Sequence, residues 1–182
     1  METKEFTITA FSENAIGVLN RLTIIFTRRH LNIESLAVSE SALKGIHKFT
    51  IVVNTTQETI EKVVKQIDKV VDVLRAYFLT SEEIIYQEIA LYKVPTEALT
   101  ASSHIETLIR QYNARILEVT PEYTVIEKTG HKDETQALFD ELNTFSVLQF
   151  TRSGRIAVTK ATTERLSEYL KKLDTQKRMV KI

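Results

Sequence analysis

No cysteine occurs among the 182 residues, which excludes disulfides, thiolate metal sites and cysteine nucleophiles. No apolar run approaches the roughly 18 residues that cross a bilayer as a helix. Met1–Glu5 is not followed by an apolar signal-peptide core. The expectation is a cytoplasmic protein that is neither exported nor membrane-bound. An excess of one charge is also missing, with 24 Lys+Arg against 24 Asp+Glu and a formal net charge of +0, which argues against a dedicated nucleic-acid binder. There is no glycine-rich loop to cradle phosphates and no Gly-x-Ser-x-Gly elbow. His30, His47, His104 and His131 are scattered without metal-ligand spacing. Phe6, Phe11, Phe49 and Tyr77 lack the basic-aromatic pattern of an RNA-stacking sheet, so core packing explains them.

What remains is enough for a folded protein. A hydrophobic fraction of 43% supplies a core, and 26% charged residues is ordinary for a soluble chain. The length suits one domain or two small ones. Charge is unevenly placed: from Arg152 to Ile182 there are nine Lys or Arg against three Asp or Glu. A solvated helical face is the ordinary explanation of such a tail, and contact with an acidic partner is the alternative.

The apolar pattern alternates between strand and helix periods. Residues 5–12 read as a strand, and Leu19, Leu22, Ile25 and Phe26 fall at helical spacing. Residues 33–42 and 47–54 read as strands about a turn at Gly45. Ile60, Val63, Val64 and Ile67 mark a second helix, and residues 70–79 return to strand. This βαββαβ order is that of a ferredoxin-like domain. The scheme then recurs loosely: a strand over Ile84–Val94, a helix at 97–112, strands at 114–119 and 123–128, and a helix at 132–142. A hairpin of 145–152 and 155–160 closes at Ser153-Gly154. The fold class expected is α+β, with tandem domains at 1–80 and 84–160 and a helical tail at 161–182 through Leu166, Tyr169, Leu170 and Leu173.

One segment points to chemistry. The first strand passes through Ser12–Gly17 into a helix start, where unpaired N–H groups meet the positive end of the helix dipole. Such an end binds carboxylate or phosphate. Gly17 lacks a Cβ and allows close approach, while Asn14 and Asn32 offer amide groups for an ammonium. Asn32 serves if it lies beside that helix start or faces it from another subunit. Ile16, Val18 and Ile33 would line a pocket for a branched aliphatic side chain. Each residue also has a plain reading: Asn14 as a helix cap, Gly17 as a packing glycine, Asn32 as a loop residue. Ser12 and Glu13 read as capping residues. No acid, base or nucleophile stands out, so the segment suggests capture of a small zwitterion, not its conversion.

The same segment, Asn14-x-x-Gly17-x-Leu19-x-Arg21 followed by Phe26, Arg29 and Asn32-Ile-Glu-Ser-Leu36, resembles the opening of acetolactate synthase (acetohydroxyacid synthase) small regulatory subunits. The resemblance continues through Val71–Arg75, Glu88–Leu91, Val119–Pro121, Tyr123–Val125 and Arg152-Ser-Gly-Arg155, and so spans about residues 6–160. It implies an N-terminal ACT domain that pairs with a second copy and binds valine at the interface. Asn14, Gly17 and Asn32 would contact the ligand, with Ala15, Ile16, Val18 and Ile33 beside them. It further implies activation of a separate catalytic subunit that carries thiamine diphosphate, Mg²⁺ and FAD, with no cofactor or metal on this chain. Arg152 and Arg155 are its candidates for contact with that subunit, an exposed turn being the plain alternative. The family usually has glycine where this chain has His30; glycine suits a helix end with positive φ, and histidine adopts it at a cost. A stand-alone amino-acid sensor regulating another protein is the rival reading.

Overall fold

Two patterns of alternating strand and helix periods, one per half of the chain, fold into two α+β units. The computed structural model describes residues 2–101 and 104–162. The first unit takes the chain to Ile85 and again from Ala157, and the second runs from Tyr86 to Ile156.

In the first unit, β1 (Lys4–Glu13), α1 (Val18–Thr27), β2 (Ser35–Glu40), β3 (Ile46–Thr55), α2 (Gln57–Ile67) and β4 (Val73–Leu79) follow in order. The antiparallel sheet has the order β2-β3-β1-β4. Alternate residues Phe6, Ile8 and Ala10 of β1 share one face with Phe49, Ile51 and Val53 of β3, and this face packs on both helices. The helices meet it with Val18, Leu22 and Phe26, and with Ile60, Val63, Val64 and Ile67. These spacings put each apolar set on one stripe. Thr56 caps α2 by accepting the Thr59 N–H at 3.4 Å.

The end of α1 has the positive φ expected at His30. His30 has φ 53, its N–H donates to Thr27 O at 3.0 Å, and the Leu31 N–H reaches back to Phe26 O at 3.0 Å. Those two bonds make a Schellman closure, whose left-handed residue is usually glycine.

The second unit repeats the order with β5 (Ile84–Pro95), the short helices α3 (Thr96–Ala101) and α4 (His104–Gln111), β6 (Arg115–Val119), β7 (Tyr123–Gly130), α5 (Lys132–Leu142) and β8 (Gln149–Arg152). Its sheet runs β6-β7-β5-β8. Ala90, Tyr92, Val94 and Ile126 pack on Ile105, Leu108, Leu138 and Leu142. Each half is therefore ferredoxin-like, as the periodicity indicates.

Three expectations change. The single helix at 97–112 is two helices, with residues 102–103 outside the described ones. The hairpin of 145–152 with 155–160 does not form: β8 pairs with β5, from Ala90↔Arg152 to Lys93↔Gln149, and β9 (Ile156–Thr159) also pairs with β5. Ser153 joins that ladder, its N–H donating to Ile89 O at 2.8 Å. The unit boundary falls at Ile85/Tyr86, and residues 157–162 group with the first unit; a one-turn 3₁₀ helix over Ser81–Glu83 leads straight into β5. The tail helix through Leu166–Leu173 lies outside the described residues.

Candidate functional site

β1 leaves the sheet at Glu13, and four residues, Asn14–Gly17, carry the chain to α1. Each end of this loop is tied to its surroundings. The Glu13 N–H donates to Asp72 O at 2.9 Å and the Asn14 N–H to Gly45 O at 3.0 Å, so the turns before β4 and β3 both hold it. The Arg21 N–H donates to Gly17 O at 3.0 Å and opens the helical ladder. Gly17 caps α1 in the left-handed region, φ 83 and ψ 0, with no side-chain cap bond. The capping reading of Asn14 therefore does not hold, and Ser12 and Glu13 lie within β1.

Among the described residues, no partner takes the N–H groups of Ile16, Gly17, Leu19 or Asn20. Asn14, Gly17, Leu19 and Asn20 are exposed. These amides sit at the positive end of α1, where an anion is favoured by both the dipole and direct hydrogen bonding. A Cβ built on Gly17 would meet nothing within 4 Å, so the space in front of the amides is open.

The side chains divide differently from the pocket expected. Val18 is buried at 3% exposure in the first core, because the first residue of α1 faces the sheet. Ala15 and Ile33 are half-buried and pack on that core. Ile16 stands wholly in solvent, at 102% of its reference exposure. Asn32 is exposed and its Nδ2 donates to Glu34 Oε1 at 2.9 Å.

Strand register decides whether Asn14 and Asn32 meet. Ser35 at the start of β2 is level with Val52, and Val52 with Thr7 near the start of β1. Glu40 at the end of β2 is level with His47 and so with Ser12. Asn32 precedes Ser35 and Asn14 follows Ser12, so they belong to opposite ends of the sheet, beyond levels that are themselves about five residues or ~17 Å of strand apart. Within one chain, Asn32 does not lie beside the helix start; of the two placements expected, only the one across subunits is compatible with this register. β2 is a sheet edge, and its outer residues Val38, Ser39 and Glu40 are exposed.

A groove of about 640 Å³ in the same unit lies elsewhere, between α2 and β4, where Gln57, Glu61, Val64, Asp68, Arg75 and Phe78 line it. None of the expected ligand residues lines it. Asp68 closes part of that edge by accepting the Ala76 N–H at 2.7 Å, a structural use of the carboxylate.

Of the two candidates for partner contact, Arg155 is buried and Arg152 half-buried, so neither stands on the exposed turn that was the plain alternative. The Arg155 side chain is 4% exposed, its guanidinium stands 3.9 Å over the Tyr86 ring, and its Nε is 3.9 Å from Glu88. Arg152 Nη1 donates to Lys132 O and Thr135 Oγ1, both at 3.0 Å, and its Nε is 3.6 Å from the other oxygen of Glu88. The carboxylate of Glu88, itself buried, faces both guanidinium groups and offsets their charge where water is scarce. Arg155 is thus not presented to a partner surface. Glu88 stands in one of the blocks that carry the family resemblance, but its pairing with two arginines was not legible, since a lone acidic residue in an alternating strand reads as solvent-facing.

Comparison with known proteins brings both units together. A family model described as "AHAS small subunit-like ACT domain" matches residues 8–75, and one described as "Small subunit of acetolactate synthase" matches residues 87–161. The acetolactate synthase small subunit of Bacillus subtilis is 33% identical over 161 residues, covering 88% of this chain and 93% of that protein. A probable acetolactate synthase small subunit of Methanothermobacter thermautotrophicus is 30% identical over 88% of this chain and 95% of its own. The crystal structure of the Thermotoga maritima acetolactate synthase small subunit superposes with a TM-score of 0.79 at 28% identity, over 88% of this chain and 99% of that one.

Proposed function

This chain belongs to the acetolactate synthase small-subunit family, and we propose that it activates a separate catalytic subunit and makes it answer to valine. The thiamine diphosphate, Mg²⁺ and FAD belong to that catalytic subunit in this reading, and this chain contributes no catalytic group. Both act in the cytoplasm, in the synthesis of branched-chain amino acids.

One observation carries the effector half of the proposal: four unpartnered amides at the start of α1 beside a wholly exposed Ile16. The amides suit the carboxylate of an amino acid. The ammonium needs acceptors, and Asn14 and Asn32 supply amide oxygens. Because the register separates these two residues within a chain, the site is read as shared between two copies. Antiparallel pairing of two β2 edges reverses one strand against the other and carries the start of one β2 to the level of the other's end. It also gives Ile16 a neighbour, which an isolated chain does not. Valine then favours one arrangement of the regulatory dimer, and it inhibits only to the extent that it binds the inhibited state more tightly, typically by 1–3 kcal/mol.

Mixing variants tests the shared site. Asn14→Ala and Asn32→Ala chains each lose valine binding as homodimers. A mixed dimer has one site carrying both substitutions and one carrying neither. Refolding equal amounts together should restore about a quarter of the wild-type sites, half the dimers being mixed and half their sites intact. No recovery would place both residues in a single-chain site and defeat the proposal.

A further inference from the structure

Left-handed backbone is concentrated at the end of the first sheet that carries the effector loop. Gly17 (φ 83) and Gly45 (φ 79) take it as glycines, but Asp72 takes it as a residue with a side chain, at φ 73. Such a conformation persists in a non-glycine residue only where its surroundings hold it. Here they do so twice. The Asp72 carbonyl accepts the Glu13 N–H at 2.9 Å, immediately before the loop. Its carboxylate pairs with Arg21 Nη2, from the first turn of α1. Arg21 in turn donates its backbone N–H to Gly17 O at 3.0 Å, at the loop's other end. Residues 13, 72, 21 and 17 therefore close a ring around Asn14–Gly17, through two backbone hydrogen bonds and one ion pair. The ladder between β1 and β4 shifts register between Phe11 and Ser12, just before this ring. Arg21 Nε is buried and has no hydrogen-bond partner among the described residues. The Arg21 side chain as a whole is 41% exposed, so its other donors stay within reach of solvent while Nη2 holds Asp72.

We propose that Asp72 and Arg21 are positioning residues for the effector site: the pair fixes the direction of the free amides at Ile16, Gly17, Leu19 and Asn20 without touching the ligand. This rests on the effector reading above. The bond from Glu13 to Asp72 gives the pair a second consequence, since whatever moves the loop on ligand binding is felt at the start of β4.

The test uses the full chain with Asp72→Asn, Arg21→Gln and the double variant. Asparagine tolerates the left-handed backbone and keeps the shape while removing the charge. Calorimetric titration with valine should show about tenfold weaker binding in each single variant, and no further loss in the double one, as expected for two members of one contact. Thermal midpoints should stay near that of the wild type, because the pair is partly exposed. Hydrogen exchange of the Glu13 amide should quicken in both single variants without any ligand. Wild-type affinity retained in both variants overturns the proposal, as does additive loss in the double variant. If the wild type itself takes up no valine, the effector reading fails, and the Glu13 amide decides the pair by itself. Unchanged protection there refutes it, and faster exchange sustains it.

Discussion

Substituting aspartate at Gly17 separates the chemistry of the effector loop from its folding. The backbone there is left-handed, at φ 83, and a new Cβ meets no neighbouring atom within 4 Å, so the cost of the substitution is confined to its own backbone. An ordinary L residue loses about 1–2 kcal/mol in this conformation. Aspartate loses less, and this chain already holds one, Asp72, at φ 73. As an N-cap, aspartate recovers only about a few tenths of a kcal/mol relative to glycine by accepting the free amides of the first turn. Fold stability should therefore fall by about 1 kcal/mol, the left-handed backbone outweighing the cap. Binding should change far more. The new carboxylate occupies the amides and faces the incoming carboxylate of the effector at roughly 5 Å, which costs about 3 kcal/mol at an effective dielectric constant near 20. That is a loss of about two orders of magnitude in affinity. Calorimetric valine titration, with far-UV circular dichroism to follow unfolding, reads both quantities. Gly45→Ala is the backbone control, with φ 79 and equally open space; it should lose comparable stability to Gly17→Ala while keeping valine affinity. Gly17→Asp binding valine within threefold of wild type would refute the amide site. So would a loss of binding that merely follows a collapse of the thermal midpoint.

Three further outcomes follow from local geometry. His30→Gly removes the strain at φ 53 and should stabilise the chain by about 1 kcal/mol, raising the thermal midpoint of a unit this size by roughly 4–8 °C. Tyr92→Phe deletes a buried hydroxyl that donates to Thr135 O at 2.7 Å; losing that hydrogen bond should cost about 0.5–1.5 kcal/mol in urea unfolding. Burial pushes the Tyr92 phenol far above its usual value, so the loss should be the same at pH 6 and pH 9. Glu127 is held below the usual carboxylate value of 4.5 chiefly by the Thr129 hydroxyl, against the opposing effect of burial and with help from Arg115. A carboxyl with a lowered folded-state value contributes stability above its unfolded value and loses it as pH falls through the folded one. Glu127→Gln should therefore lose stability at pH 7 and show a shallower decline below pH 4.5.

The elements were legible because their periods differ: alternation in β1 and β3, and three-to-four spacing in α1 and α2, survive any packing. Positive φ at His30 was legible only through the family resemblance, which implies glycine at that helix end. Pairing was not. Alternation in 149–152 and 156–159 marks strands, yet whether two strands pair with each other or both with β5 depends on partners more than fifty residues away. The same limit hid the separation of Asn14 from Asn32, which only register reveals. It hid the Asp72–Arg21 pair, whose members lie 51 positions apart, and the burial of Arg155 against Glu88. A residue type at a turn says what chemistry is available, and long-range pairing says where that chemistry is placed.

In the proposed function this chain governs a catalytic partner through an amino-acid site. That is tested by acetolactate formation by a purified thiamine-dependent catalytic subunit from the same source, with and without this chain, across a valine titration. Adding the chain should raise the rate, and valine should reverse the rise for the wild type but not for Gly17→Asp. A catalytic subunit whose rate is unmoved by the chain at any valine concentration would refute the proposed function and leave the reading of a stand-alone sensor in its place.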